Sequence, residues 1–519
     1  MWEVMSDPQS SLALPVTRLT RRKTLDQVTA ECQSHDLKRT LTATQLTLLG
    51  VGATIGAGIY VMTGEAAADY AGPAVLVSFV IAALACLFTA FSYGELSSTL
   101  PVAGSAYSYA YVSIGEGAAW TVGWLLLLEY GISCAAVASG LSGYATSLLS
   151  DLGVHVPAAL SQSTFQTVLS GANLTLTVGP RLDFVGGLAV MIVTALLVRG
   201  VQESARVNAV IVVIKVGVLF VFVGFGLQAM HAAYWHPFIP QSEGGFRYGL
   251  PGVFRAASII FFAYVGFEAV STAAAEARNP RRDVPIGIVL SLVICTAVYI
   301  LVASVLIGIV PYRELGVADP LAIAVNAMHE PWLALLIKVG ATVGLCSVLL
   351  GLLYGQTRIF FSMSRDGLIP AAFSRVHPTL RTPWIGTILL GILVAIATAT
   401  MPLEVISDLV SIGTACAFGI VNFTVIWQRN TRPGITRPFS VPLGGITIGG
   451  FWIGIAPALG IAFCVIMTLP LCIDLLRALG NGNPLPAILL GIYIVIGIAT
   501  YFAYGRSHSR MAQAPFDAD

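Results

Sequence analysis

The sequence predicts an all-α integral membrane protein of about twelve helical spans. Three observations carry that reading. Charged residues make up only 10% of the 519, against 56% hydrophobic ones, and the mean hydropathy is +0.84. A soluble domain carries about 25% charge, so this chain lacks the polar surface to face water and must be solvated by lipid. Apolar runs long enough to cross the hydrocarbon core recur along it. Its basic residues also alternate between successive loops.

The spans are expected at Leu46–Ala67, Ala74–Ser97, Ala118–Leu148, Phe184–Arg199, Ala205–Leu227, Leu250–Glu276, Pro285–Val310, Pro331–Phe361, Pro383–Thr400, Val405–Gln428, Gly450–Leu476 and Pro484–Tyr504. The third and eighth are overlong. Each is either a helix that tilts and projects or one that hides a short extra segment. Twelve spans put both tails on one side. That side holds 20 Lys and Arg, including Arg18, Lys38 and Arg39 of the tail; the other holds four, Arg181, Arg247, Arg313 and Arg477. Lys215, Arg255 and Lys338 fall inside spans. The positive-inside rule then makes both termini cytoplasmic in a plasma membrane. The divisions expected are an N-terminal tail 1–45, five spans in 46–229, five more in 250–428, a further pair in 450–504, and a tail 505–519.

A net charge of +1 suggests no nucleic acid. The eight cysteines form no C-x-x-C pair, and all but Cys32 lie in apolar stretches. The seven histidines fall in tails, loops or span ends. Neither a disulfide framework, a metal site nor a cofactor is signalled, and no cleavable signal peptide is read in the basic first 45 residues. The stretch Thr99–Gly117 has no Lys or Arg and is too polar to span; it reads as an amphipathic or re-entrant cytoplasmic element, or an ordinary loop. The outer loop 150–183 is Ser/Thr rich, and its Asn173-Leu174-Thr175 triplet is the kind of sequon that arises by chance.

Two spans carry interruptions. The first reads GVGATIGAGIY over Gly50–Tyr60. Glycine in a helix interior costs about 1 kcal/mol relative to alanine, so the cluster needs a reason. It serves close helix packing, or it breaks the helix and exposes N–H groups to an anion, with Gly56-Ala57-Gly58 the tightest point. The run does not fit a dinucleotide fingerprint. The sixth span reads FFAYVGFEAVSTAAAEARNPRRDVPIGI from Phe261, with Glu268 inside it. A carboxylate at the bilayer centre costs roughly 2.5–3.5 kcal/mol on insertion scales, so Glu268 must face protein or water. Interruptions five spans apart are the sign of two inverted five-helix repeats with a substrate between them. Glu129 in the third span and Lys215 in the fifth are the other notable intramembrane charges. Glu129 and Glu268 are expected to line a polar cavity, or each to bond a neighbouring helix. Lys215 is either a proton carrier or a fixed charge that pins carbonyls.

The glycine-rich first span, FAYVGFEAVSTAAAEARNP in the sixth, and YGQTRIFFSMSRDGLIP from Tyr354 together resemble the cationic amino acid transporter family of the amino acid–polyamine–organocation superfamily, in its bacterial twelve-span form. The resemblance runs from about Thr40 to Tyr504. It departs at Glu268, where aspartate is commoner, and at Ala275, where a second acid is usual. It implies a five-plus-five inverted-repeat fold with two additional C-terminal helices. It also implies a substrate carboxylate on the amides of Ala57 and Gly58 beside Gly56, and an α-ammonium on the carbonyls of Ile55, Phe262, Ala263 and Val265. Lys215 then stands where a sodium ion sits in related carriers and bridges the first and eighth helices.

The expectation is a secondary transporter of L-amino acids: a proton-coupled symporter working by alternating access, with an exchanger as the alternative and a channel or membrane enzyme less favoured. No nucleophile–base pair lies within the spans. The partners are an amino acid, protons and lipid. The sequence leaves open the side chain, with a neutral one favoured over a cationic one because Glu268 is the one acid beside the break. It also leaves open symport against exchange, the oligomeric state and the role of the outer loop.

Overall fold

The computed structural model describes residues 19–23, 40–102, 104–170, 173–200, 205–480 and 485–510. Arg18, Cys32, Lys38, Arg39 and the tail beyond 510 lie outside the described residues, as does the side chain of Ala275. Twelve spans run through the described residues. We number them α1 (43–71), α2 (Val75–Thr99), α3 (Glu116–Asp151), α4 (Phe184–Val198), α5 (Ala205–Gly226), α6 (249–276), α7 (Pro280–Ile309), α8 (Pro331–Arg365), α9 (Trp384–Thr400), α10 (Leu403–Thr431), α11 (Ile455–Gly480) and α12 (485–508). α1 and α6 are broken; α3 and α8 are single long helices with no extra segment.

Local chemistry sets the boundaries. α1 opens on a capping box, in which the Gln45 N–H donates to the Thr42 hydroxyl and the Thr42 N–H donates to the Gln45 side chain. α4 opens on Asp183, whose carboxylate accepts from the Gly186 N–H at 2.9 Å and from the Ser142 hydroxyl of α3 at 2.6 Å. Proline takes the first turn of α7 at Pro280 and of α8 at Pro331, where its missing N–H costs nothing. The start expected for α7, Pro285, lies one turn further in, within the helix. The start expected for α11, Gly450, belongs instead to a hairpin, β3 (Gly445–Ile448) with β4 (Phe451–Gly454). An earlier hairpin, β1 (Phe165–Ser170) with β2 (Asn173–Val178), occupies the outer loop and carries the Asn173 triplet in its second strand.

Burial sorts the helices. The apolar window of α6 is 89% buried and those of α3 and α10 are 78% and 72%, whereas α11 and α12 reach 28% and 11%. α3, α6 and α10 are thus the protein's core and the last pair its lipid-facing edge. α2 packs on α7, α3 on α8 and α4 on α9. The polar stretch after α2 holds a helix, Ser105–Ser113, that is buried along nearly its whole length. It docks on the end of α6 through the Ser105 and Ser271 hydroxyls, 2.8 Å apart.

The two ends of the described chain meet on one face. Lys23 pairs with Asp366 at the end of α8, and the Tyr107 hydroxyl donates to the other Asp366 oxygen at 2.6 Å. The Arg510 N–H reaches the Asp366 carbonyl, and the Ser509 and Tyr501 hydroxyls donate to buried Glu116. Breaking a buried pair from one side costs about 3–5 kcal/mol. Asp366→Ala is therefore expected to lower the unfolding temperature of detergent-purified protein clearly, in a thermal melt followed by tryptophan fluorescence. An unchanged melt would show the contact to be idle.

Candidate functional site

The site is built from the two broken helices. The first segment of α1 stops at Thr54, Ile55 turns to an extended ψ of 93°, and the helix restarts at Gly58 in a widened π turn. α6 winds to Ile260, tightens over Phe261–Tyr264, and breaks at Val265–Gly266. Gly266 has φ +122°, a conformation that only glycine adopts without strain.

The breaks pack backbone against backbone. A Cβ on Gly58 would lie 2.5 Å from the Ala263 Cα, and a Cβ on Gly266 2.6 Å from the Ala53 carbonyl carbon. Packing and helix breaking, alternatives for the glycine cluster, thus coincide. Gly50 faces Ser291, Gly52 faces Val212 and Asn208, and Gly56 faces Val348 of α8.

The freed carbonyls are met from neighbouring spans. The Lys215 ammonium of α5 donates to the carbonyls of Gly52 and, at 2.9 Å, Ile55. Its side chain also faces Gly344 of α8, where an added Cβ would lie 3.6 Å from it, so it lies between α1 and α8. The Tyr299 hydroxyl of α7 lies 2.6 Å from the Thr54 carbonyl and 3.0 Å from that of Ala263. It spans both breaks. The Phe262 carbonyl accepts from the Val265 N–H at 3.0 Å.

Glu268 folds back on its own helix. Its carboxylate accepts from the Gly266 N–H at 2.9–3.0 Å and from the Tyr130 hydroxyl of α3 at 2.9 Å. Glu129 sits beside it, in the π turn Leu127–Ile132 of α3. It is wholly buried, and neither of its oxygens has a partner in good geometry among the described residues. Both amide atoms of Gln356 on α8 and the Tyr93 hydroxyl on α2 are likewise buried without partners among those residues.

The fold therefore brings Ile55, Gly56, Ala57, Gly58, Phe262, Ala263, Val265, Glu129, Glu268 and Lys215 into one buried region. Glu268 bonds both its own break and Tyr130 of α3, and the Glu129 carboxyl faces that of Glu268. Tyr299, Gly266, Tyr130 and Gln356 are functional candidates that the sequence alone does not single out. Gly266 carries a usable signal as the one glycine in FAYVGFEAVSTAAAEARNP; the others are single polar residues in apolar helices.

A profile of the family described as amino acid permease matches residues 41–499. The chain belongs to the amino acid permease family. Curated relatives agree. The branched-chain amino acid permease BcaP of Bacillus subtilis is 40% identical over 497 residues, covering 95% of this chain and 99% of that protein. The methylthioribose transporter of the same organism is 39% identical over 494 residues, with the same coverage. The vacuolar cationic amino acid transporter 4 of Arabidopsis thaliana is 39% identical over 418 residues, 80% of this chain and 68% of that one. This permease is thus a multi-pass membrane transporter of the all-α architecture expected, and its relatives are carriers, not enzymes.

Two substitutions test the contact between the breaks. Gly266→Ala strains a positive φ and collides with backbone, so the folded, monodisperse fraction on size-exclusion chromatography is expected to collapse. Tyr299→Phe strips a donor from two buried carbonyls, at about 1–3 kcal/mol, and is expected to lower the melting temperature while leaving the protein folded. A normal Gly266→Ala protein would mean that the breaks do not touch.

Proposed function

We propose that this permease is a proton-coupled symporter of L-amino acids. It works by alternating access in the plasma membrane, with both termini cytoplasmic. The single observation that supports the coupling is Lys215: a buried ammonium held by two carbonyls at the edge of the first break. Protonated, it ties α5 to the end of the first half of α1 where it passes α8; neutral, it releases a charge from that joint. Proton binding then biases one access state over the other, which is what coupling needs.

We read 46–229 and 250–428 as two inverted repeats, followed by an additional pair of helices in 450–504. Breaks five spans apart support this, as do the contacts of α2, α3 and α4 with their counterparts α7, α8 and α9. The substrate carboxylate is assigned to the N–H groups of Ala57 and Gly58, beside Gly56, at the start of a helix whose first amides have no partner within it. Its ammonium is assigned to the carbonyls of Ile55, Phe262, Ala263 and Val265. Three of these already accept one hydrogen bond, and each keeps a second lone pair. The excess of basic residues on the side of the tails supports the orientation.

The names of BcaP and the plant carrier support an amino acid as substrate. A cationic side chain is the second reading, and Glu129 favours it. Glu268 already accepts from Tyr130 and Gly266, and Glu129 beside it adds a second carboxyl that a cationic side chain could meet. The methylthioribose relative makes that sugar a necessary competitor in any panel.

Uptake into proteoliposomes distinguishes these. Accumulation of labelled leucine or arginine is expected to rise with an inward proton gradient, to ignore sodium, and to proceed into empty vesicles. Lys215→Ala is expected to lose gradient-driven accumulation yet remain monodisperse. Sodium dependence, a requirement for preloaded amino acid, or undiminished accumulation by Lys215→Ala would each overturn the coupling. Glu129→Gln is expected to weaken competition by arginine about tenfold, the loss of ~1.4 kcal/mol, and competition by leucine far less. Equal losses would remove the cationic reading.

A further inference from the structure

Two turns beyond the breaks, on the face opposite the chain ends, a second buried charged cluster crosses the bundle. Glu65 lies seven residues past Gly58, roughly 10 Å along the helix. Arg255 on the first half of α6 is 3% exposed. It donates through Nε to Asp474 of α11 at 2.6 Å and through one terminal nitrogen to both oxygens of Asp408 of α10 at 2.9 Å, and its guanidinium lies 4.9 Å over the Tyr70 ring. These contacts staple the outer half of α6 to α10 and α11.

Two groups in the cluster are left over. The other terminal nitrogen of Arg255 is buried with no hydrogen-bond partner among the described residues. Glu65 is 4% exposed, and neither of its oxygens has one among those residues. Glu65 lies within electrostatic reach of Glu404, Asp69 and Asp408 as well as Arg255, so its surroundings are acidic except for that guanidinium. A buried carboxylate and a buried guanidinium nitrogen, both unsatisfied in one cluster, cost free energy as they stand. Another arrangement of the same side chains, in which Glu65 meets that nitrogen, would remove both costs. Glu65 and Arg255 ride on the outer halves of the two broken helices, whereas Asp408 and Asp474 belong to α10 and α11. Separating these pairs of helices breaks the observed staple and leaves Arg255 with Glu65, the acid on the other broken helix that is within its electrostatic reach.

We propose that Arg255 is a gating residue that exchanges Asp408 and Asp474 for Glu65 when the permease opens to the outside. This rests on the alternating-access reading, but neither on the identity of the substrate nor on the coupling ion. The arrangement seen is the outer-closed one. The exchange keeps the guanidinium paired in both states and leaves Asp408 and Asp474 to the water that enters as the gate opens, and Glu65 sets how often it opens.

The test needs no substrate. Ser411 is buried on α10 one turn inward of Asp408, and Ser411→Cys reports outer opening by its rate of reaction with a small water-soluble thiosulfonate. Ser271→Cys, beneath the helix Ser105–Ser113, reports the opposite face. Both are made with the exposed Cys416 and Cys472 changed to serine, in detergent-purified full-length protein. Asp408→Asn with Asp474→Asn is expected to speed reaction at Ser411→Cys about tenfold, a bias of ~1.4 kcal/mol, and to slow it at Ser271→Cys. Glu65→Gln is expected to slow Ser411→Cys by a similar factor and to cancel the acceleration in the double variant. Rates at Ser411→Cys that ignore Glu65→Gln would overturn the exchange. If Glu65→Gln does not fold, the double variant decides alone, and failure to accelerate Ser411→Cys while slowing Ser271→Cys overturns it. Proton-driven uptake, measured separately on the parent, tests the coupling and has no bearing on these rates.

Discussion

Everything in this permease depends on breaking two helices in a medium that cannot satisfy what the breaks expose. Lipid offers no hydrogen bonds, so each freed carbonyl and N–H must find a partner inside the protein. The solution is to press the two breaks together. Gly58 lies on Ala263 and Gly266 on Ala53, Tyr299 spans the pair from α7, Lys215 meets the Gly52 and Ile55 carbonyls from α5, and Glu268 receives the Gly266 N–H. These partners come from different spans, so the breaks are also where the helices are held relative to one another. Unwinding one of them would disturb α5 and α7 at once.

That constraint explains why the glycines resist a single label. Their lack of a side chain permits the break and, in the same place, the approach that makes the break tolerable. A Cβ on Gly56 would first meet the movable side chain of Val348, at 2.9 Å, whereas one on Gly58 would meet the backbone of Ala263. A bulky residue at position 58 therefore forces α1 and α6 apart before it can affect any ligand, and its effect on binding cannot be separated from its effect on the fold.

The spans were legible because lipid imposes one requirement on every residue that faces it, and that requirement is written locally as apolar runs. α2 and α4 lie where their hydropathy put them, and α3 and α8 are long because their apolar runs are long. The errors fall where local signals compete. Pro285 reads as a start, but Pro280 starts the helix, and an apolar hairpin at Gly445–Gly454 imitates the beginning of α11. The candidate site was legible in part, through glycines and charges that lipid would exclude from a helix without cause. What was not legible is juxtaposition. Glu129 lies on α3 and Glu268 on α6, and nothing local says that the two carboxyls face each other or that the Tyr130 hydroxyl and the Gly266 N–H both go to the second. Tyr299 is one aromatic among many until the fold sets its hydroxyl between two carbonyls.

Three cations inside spans, Lys338, Arg255 and Lys215, are neutralised in different ways. Lys338 pairs with Asp151, and Arg255 with Asp408 and Asp474, so each faces a carboxylate at the rim of the bundle. Lys215, at mid-depth, meets backbone carbonyls. A cation in an ion pair cannot lose its proton without stranding an anion. An amine on carbonyls can, because in its neutral form it still donates N–H to them, and lysine, unlike arginine, deprotonates within proteins. The pairs at the rim are therefore suited to hold helices or to exchange partners, and the lysine at the break is suited to change charge. The proposed division of labour between gate and coupling site follows from what each cation rests on, carboxylate or carbonyl, rather than from depth alone.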